Sequence, residues 1–217
     1  MPYRKRTHTT VSDEFPALVN RKDGQIRRII AAEAARIMST QSLSNYRTAK
    51  QKAAERLGIN LRSSIPSNTE VESELRAYQE MFGGQRHFDH LHNKRKIALN
   101  VMQSLTPFSP RLVGPVLEGT ADEHARVALH LFNDPPDAIV IHLLDKGLVF
   151  RNHQRKIRWH DGTYRQVQIL LTTAENVEIE LTLFSKMDLR QAPPSPIDGR
   201  PQKRAPISKV ELLLAKS

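Results

Sequence analysis

The stretch LVGPVLEGTADEHARVALHLFND, residues 112–134, decides the fold of this 217-residue chain. An apolar run meets Gly119-Thr120, a short charged loop follows, and apolar residues then return in alternation. Apolar segments bounded by turn residues are typical of strands, so the pattern predicts strands at 111–119 and 126–132. A glycine turn at the end of a strand serves either a hairpin or a phosphate site.

Apolar residues recur every three to four positions from residue 20 to residue 106, which indicates helices. Four helices are predicted, within residues 24–41, 44–60, 67–84 and 87–105. Ser44 or Asn45 is expected to cap the second helix, because a side-chain oxygen can accept a hydrogen bond from its first turn. Gly58 is expected to end it, since glycine adopts the left-handed conformation found after helices.

The remainder mixes both patterns. The predicted elements are a helix at 135–147, strands at 156–159, 164–173 and 177–185, a proline-rich basic loop at 190–206 and a closing helix at 208–216. The sequence therefore predicts an α+β fold, with an N-terminal helical region followed by a mixed β-sheet flanked by helices. The predicted segments are a disordered basic tail at 1–19, a helical region at 20–86 and an α+β domain at 87–217.

The composition favours polyanionic partners. The net charge is +10 and the isoelectric point about 10.1, and such a balance attracts nucleic acid. Residues 1–106 hold 18 basic and 10 acidic residues, or +8, and the rest hold 15 and 13, or +2. The absence of cysteine excludes thiolate metal sites and fits a reducing compartment. With no apolar run near the ~18 residues of a membrane span, a cytoplasmic protein of bacterial type without a membrane partner is expected.

The element order within residues 88–184 resembles the core of the polymerase-β-type nucleotidyltransferase superfamily. That core has a helix, an apolar strand ending in Gly-[Gly/Ser], a strand with the motif DxDLxV, a helix and a late acidic strand. Gly119-Thr120 matches the first motif. The catalytic aspartates are not matched, because Arg126 and Ala128 occupy the two acidic positions of the second strand.

The resemblance implies a nucleotidyltransferase-like sheet with Mg²⁺ as a possible cofactor, although no metal ligands are assigned. It assigns catalytic roles to Glu178 and Glu180, which share one face of the late strand. The candidate nucleotide- or phosphate-binding residues are Gly119 and Thr120 of the matched turn, with the basic Arg126 and with His130 on the same face of the strand. Because Arg126 would repel Mg²⁺, the residues predict weakened or lost metal-dependent transfer, with a nucleotide or nucleic acid as partner and RNA favoured over DNA.

Two other interpretations of this stretch stay open. A working enzyme would recruit its acids from Asp122, Glu123, Glu178 or Glu180. Alternatively, Gly119-Thr120 is only a hairpin turn and the glutamates form a solvated strand face.

The predicted helices at 24–41 and 44–60 also resemble the first two helices of helix-turn-helix regulators, on the motif AERLGI at the end of the second. This suggests a DNA-binding regulator whose second half is a ligand or dimerisation domain. The third predicted helix is acidic and follows a longer connection than the 3–4-residue turn of that motif. The second helix carries the candidate residues for nucleic-acid phosphate contact, Arg47, Lys50, Lys52 and Arg56.

Overall fold

The computed structural model of the chain describes residues 15–41, 43–60 and 64–215. Within these ranges it has an α+β fold, which confirms the predicted class, and none of the helices is long and apolar enough to cross a membrane. The helices are α1 (Phe15–Gln41), α2 (Tyr46–Leu57), α3 (Asn68–Phe82), α4 (Gly84–Ser104), α5 (Pro115–Glu118), α6 (Asp137–Asp145) and α7 (Ile207–Ala215). The strands are β1 (Arg111–Val113), β2 (Val127–Phe132), β3 (Arg151–Arg158), β4 (Tyr164–Ala174) and β5 (Val177–Phe184).

The first three helices form a small bundle in which α1 packs against both α2 and α3. Their shared core is rich in small and β-branched side chains, including Ile30, Ala34, Ile37, Ala49, Ala53 and Val71. Alanine lets two helix backbones approach closely, because no longer side chain separates them. α1 begins at Phe15, so residues 15–19 are helical and do not belong to the predicted tail. The rest of that tail, residues 1–14, lies outside the described residues.

Both ends of α2 form as the sequence predicts. Asn45 is its N-cap, and the side-chain oxygen of Asn45 accepts a hydrogen bond from the Thr48 N–H at 3.1 Å. Gly58 ends the helix with a φ of 66°, a left-handed conformation that glycine adopts without steric cost. Local residue signals therefore determine the extent of this helix.

The five strands form one mixed sheet in the order β1-β2-β5-β4-β3. β2 and β5 are parallel, and every other neighbouring pair is antiparallel. One side of the sheet, the helix-covered face, packs into a core with α4, α6 and α7 that includes Ile97, Met102, Leu129, Leu131, Ile139, Leu181 and Val210. The other side, the open face, carries the even-numbered residues of β2 and β5 and the odd-numbered residues of β3 and β4.

The strand predicted at 111–119 is much shorter in the structure. β1 stops at Val113, and Gly114 turns the chain with a φ of 72° and a ψ of −157°. Pro115 then begins α5, since proline fits the first turn of a helix, where its missing N–H is not needed. Gly119 ends this helix and does not end a strand, which corrects the predicted position of the turn.

β3 is longer than predicted and lies at the edge of the sheet. It begins at Arg151 and pairs with β4 over eight residue pairs, although the sequence predicts a strand only from Lys156. Seven of its eight residues are exposed and none is buried. A strand exposed on both faces needs no alternation of apolar and polar residues, so the sequence contains no hydrophobic pattern from which β3 could be predicted.

Candidate nucleotide-phosphate site

The register between β2 and β5 brings three of the predicted site residues together on the open face. Arg126 directly precedes β2, and Ala128 pairs with Glu180 across the parallel strands. Glu178 lies on the same side as Glu180, because side chains two positions apart in a strand share a face. Arg126, Glu178 and Glu180 therefore converge on one surface.

Each of the two glutamates is held by two arginines. Glu178 accepts hydrogen bonds from Arg126 Nε at 2.7 Å and from Arg151 Nη2 at 3.4 Å. Glu180 accepts two hydrogen bonds from Arg155, at 3.0 and 3.2 Å, and lies 3.8 Å from Nη1 of Arg126. We call these five residues the arginine–glutamate cluster; its formal charge is +1, from three cations and two anions.

Arg151 and Arg155 are not among the site residues predicted from the sequence. They project from β3 across β4, where the Leu171 backbone pairs with Arg151 on one side and with Glu180 on the other. The available signal was the spacing of two between Arg151, His153 and Arg155, which places all three on one face of a strand. Because all three residues are polar, they do not form the alternating apolar pattern by which a strand is usually predicted.

Glu178 is ionised at neutral pH. The hydrogen bond and the positive charge of the Arg126 guanidinium lower the pKa of the Glu178 carboxyl, because both favour the charged form. Each guanidinium presents five N–H groups, more than the glutamates occupy. The cluster therefore offers unused donors whose planar geometry suits phosphate oxygens.

The cluster does not fit Mg²⁺. Ala128 has no oxygen ligand to offer beside Glu180, and the Arg126 guanidinium lies against both glutamates. Among the residues that the structure describes, no group of three or more His, Asp or Glu side chains is arranged to hold a metal ion. Mg²⁺ needs several oxygen ligands and is repelled by a neighbouring cation.

His130 lies on the open face but beneath another side chain. It is 5% exposed, and Nε of Arg204 donates a hydrogen bond to its Nδ1 at 3.0 Å. Arg204 also stacks over the rings of Phe132 and Phe184, and its Nη1 donates to the Asp188 carbonyl at 2.6 Å. Burial, reinforced by the charge of Arg204, lowers the pKa of His130 to about 3, so its imidazole is neutral.

Arg204 belongs to the proline-rich basic loop predicted at 190–206. Burial lowers the pKa of Arg204 to about 10, so the guanidinium still carries its charge at neutral pH. The preceding Lys203 reaches Glu118, at the end of α5, with an Nζ–Oε2 distance of 3.0 Å. The loop thus crosses the aromatic end of the open face and lies beside the segment that contains Gly119.

Thr120 is directed toward α3 and does not contact the arginine–glutamate cluster. Its hydroxyl donates to Oε1 of Glu72 at 3.0 Å, and its carbonyl accepts from Nε2 of Gln79 at 3.0 Å. Tyr46 of α2 donates its hydroxyl to the other oxygen of Glu72. Burial and this hydrogen bond raise the pKa of Tyr46. Thr120 is 7% exposed, so the predicted phosphate-contacting hydroxyl is committed to the junction between the helical region and the sheet.

Gly119 lies at the same junction. Its carbonyl is 3.2 Å from Nε2 of His87, at the start of α4. A side chain at this position would meet Nη2 of Arg95 at 3.8 Å, and the φ of 88° favours glycine. The structure therefore places Gly119 and Thr120 together, but with α3 and α4.

The basic residues predicted on α2 differ in whether they already have hydrogen-bond or ion-pair partners within the protein. Lys50 Nζ donates to two oxygens at the start of α3, at 2.9 and 2.8 Å, and burial lowers its pKa. Lys52 reaches the end of α1 at 3.2 Å, and Arg56 lies 3.4 Å from Glu33. Arg47 is exposed. Their role in nucleic-acid binding stays a prediction.

Comparison of the chain with protein-family models, curated protein sequences and solved structures gives no match. The chemistry of the site must therefore be inferred from its own residues. Those residues provide a positively charged, solvent-accessible set of guanidinium donors on a rigid sheet, which suits recognition of an anionic group.

Proposed function

We propose that this chain is a divergent, nucleotidyltransferase-like protein of the polymerase-β type that binds a nucleotide or an RNA phosphate through the arginine–glutamate cluster. Metal-dependent nucleotidyl transfer is weakened or lost. The observation that carries the proposal is the 2.7 Å ion pair between Arg126 and Glu178. The cation stands where the superfamily has a metal-binding acid, and it removes the need for a metal at the phosphate.

The order of elements supports the resemblance to that superfamily. α4, β1, β2, α6 and β5 follow in the expected order, with β3 and β4 inserted before the acidic strand. Gly114 follows β1 directly, so Gly114-Pro115 takes the place proposed for the Gly-[Gly/Ser] turn. Gly119-Thr120 then lies one short helix further on, which explains why it does not reach the open face.

Accessibility of the arginines supports phosphate binding. The side chains of Arg126, Arg151 and Arg155 are 44%, 71% and 54% exposed. A phosphate can reach all three guanidinium groups without opening the core, and bidentate contacts give it a defined orientation. The ion pair between Arg126 and Glu178 is exposed on both sides, at 44% and 45%, and such pairs are weak, so replacing the Glu178 contact by a phosphate contact costs little.

The alternative acids are not assembled into a second catalytic set. Asp122 accepts a hydrogen bond from the His124 backbone N–H at 3.0 Å, and Glu123 lies 3.3 Å from the His124 ring. Among the described residues, neither carboxylate joins Glu178 and Glu180 in a group of three or more His, Asp or Glu side chains that could hold a metal ion. The absence of cysteine is in keeping with a cytoplasmic location, which is part of the same proposal.

Isothermal titration with nucleoside triphosphates and with short RNA, in the presence and absence of Mg²⁺, tests this function. We expect binding without Mg²⁺, and we expect Arg126→Ala to weaken it about tenfold or more, since a charged hydrogen bond contributes about 1.5–3 kcal/mol. Arg28→Ala on α1 is the matched control, because its side chain is 84% exposed and it also removes one cation.

Glu178→Gln and Glu180→Gln separate binding from catalysis. Each removes a negative charge that competes with phosphate, so we expect equal or tighter binding. Nucleotidyl transfer that requires Mg²⁺ and is lost in both glutamine variants would contradict the metal-free proposal and restore the two-metal enzyme. No measurable binding of nucleotide or RNA, or equal losses in Arg126→Ala and Arg28→Ala, would reject the phosphate site itself.

A further inference from the structure

The β3–β4 hairpin carries positive charge on both of its sides, but among the described residues only the cations on the open face form ion pairs with acidic residues. Residues 151–165 contain five basic residues and one acidic residue. On the open face, Arg151 and Arg155 pair with glutamates of β5. Arg165 lies 3.4 Å from Asp188 and stacks over the ring of Trp159 at 4.2 Å. The cations on this side therefore already have partners.

The other side of the hairpin is a second, separate surface. We call it the ribbon surface; it consists of Gln154, Lys156, Arg158, Tyr164 and Gln166. Lys156 pairs across the strands with Gln166, and Arg158 with Tyr164, so these side chains are direct neighbours. All five residues are exposed, and Tyr164 is 63% exposed.

The charges of the ribbon surface are not balanced by nearby acids. Within the part of the chain that the structure describes, neither Lys156 nor Arg158 forms an ion pair. Lys156 Nζ lies 5.9 Å from the centre of the Tyr164 ring, and Gln166 donates its amide to Gln154. Cations, amides and an aromatic ring therefore lie side by side on one exposed patch.

A shallow pocket of about 270 Å³ lies at the tip of the same hairpin. It is lined by Arg158, Trp159, His160, Pro194 and Gly199, so Arg158 belongs to both the ribbon surface and the pocket. Trp159 is 3% exposed, and its indole N–H has no hydrogen-bond partner among the described residues.

We propose that the ribbon surface binds a single-stranded nucleic acid. Lys156 and Arg158 contact successive phosphates, since residues two apart in a strand are about 7 Å apart. Tyr164 stacks on a base, and the neighbouring amides contact base edges. A single strand is the fitting partner because the face of a base is free for stacking only when the base leaves a duplex.

This inference does not depend on the proposed nucleotide site. The arginine–glutamate cluster uses odd-numbered residues of β3, and the ribbon surface uses even-numbered ones, which point the opposite way. Substitutions on the ribbon surface should therefore leave binding of a nucleoside triphosphate at Arg126 unchanged. Titration with a triphosphate then reports on the cluster alone, so failure of one site can be told apart from failure of the other.

Fluorescence anisotropy of the full chain with labelled single-stranded RNA, single-stranded DNA and duplex DNA of one sequence tests the proposal. We expect the single strands to bind more tightly than the duplex. Lys156→Ala/Arg158→Ala should weaken single-strand binding at least tenfold. It should also reduce the slope of log K against log salt by about 1.4, since each phosphate contact in a single strand contributes about 0.7.

Two further comparisons isolate charge and stacking. Lys96→Ala/Lys209→Ala removes the same number of exposed cations elsewhere and should change affinity less than twofold. Tyr164→Ala should weaken binding at least fivefold, whereas Tyr164→Phe should retain it, because the ring and not the hydroxyl stacks. Tighter binding to the duplex, equal losses in the two lysine-containing double variants, or full affinity in Tyr164→Ala would overturn the proposal.

Discussion

The buried His130 should make the protein less stable as the pH falls from 7 to 5. Its pKa is about 3 in the folded protein, mainly because burial disfavours the charged imidazolium, against about 6.5 in an unfolded chain. Below pH 6.5 the unfolded chain therefore binds a proton that the folded protein does not. The stabilisation is complete above pH 6.5 and is lost progressively as the pH falls toward 3.

The size of the effect follows from the two pKa values. Between pH 7 and pH 5 the unfolded state gains about 2 kcal/mol from protonation of this one histidine, and the folded state gains almost nothing. His130→Gln removes the titration, and its side-chain oxygen can accept the hydrogen bond that Arg204 now donates to Nδ1. The variant should therefore lose about 2 kcal/mol of the pH dependence of the unfolding free energy.

Urea unfolding followed by tryptophan fluorescence measures this difference. Trp159 is the single tryptophan of the sequence and is buried, so its emission reports unfolding. His153→Gln is the control, since His153 is exposed on β3; its pH dependence should equal that of the wild type. A difference below about 0.5 kcal/mol between wild type and His130→Gln would refute the reasoning, because it would mean that His130 is not held neutral in the folded protein.

Three further substitutions test local features by urea or thermal unfolding. Thr120→Val should cost about 1–3 kcal/mol, because it leaves the buried Glu72 without one hydrogen-bond donor. Asn45→Ala should cost about 1 kcal/mol through loss of the α2 cap, and an unchanged midpoint would argue against that cap. Glu178→Gln should reduce the loss of stability on acidification, because the wild type loses the ion pair when the Glu178 carboxylate is protonated. The change should be under about 1 kcal/mol because the ion pair is exposed. An unchanged dependence of the unfolding free energy on acidic pH would contradict the pairing.

The sequence predicts most elements of this fold because their signals are local. The α2 cap at Asn45, the stop at Gly58 and the alternation of β5 each depend on a few neighbouring residues. β5 begins at the predicted residue, and β2 begins one residue later than predicted. The boundary predicted between residues 86 and 87 falls within the first turn of α4, which begins at Gly84.

Only part of the arginine–glutamate cluster could be predicted from the sequence. Glu178 and Glu180 could be placed on one face, because strand periodicity fixes it. Their partners Arg151 and Arg155 could not, since β3 is an exposed edge strand without an apolar pattern and its pairing with β4 is a tertiary feature. The burial of His130 beneath a loop 74 residues further along the chain is likewise a long-range contact that no local signal encodes.

Glu72 joins three separate parts of the chain, because its two oxygens accept the hydroxyls of Tyr46 and Thr120. Replacing any one of the three alone leaves a polar group stranded between the bundle and the sheet. Viable changes must therefore involve all three positions: a tyrosine-to-phenylalanine change on α2 would favour loss of the acid on α3 together with loss of the Thr120 hydroxyl. Homologous chains should consequently show these positions varying together. A helical bundle taken from another protein would pack on this sheet only if it supplied an acceptor for the Thr120 hydroxyl.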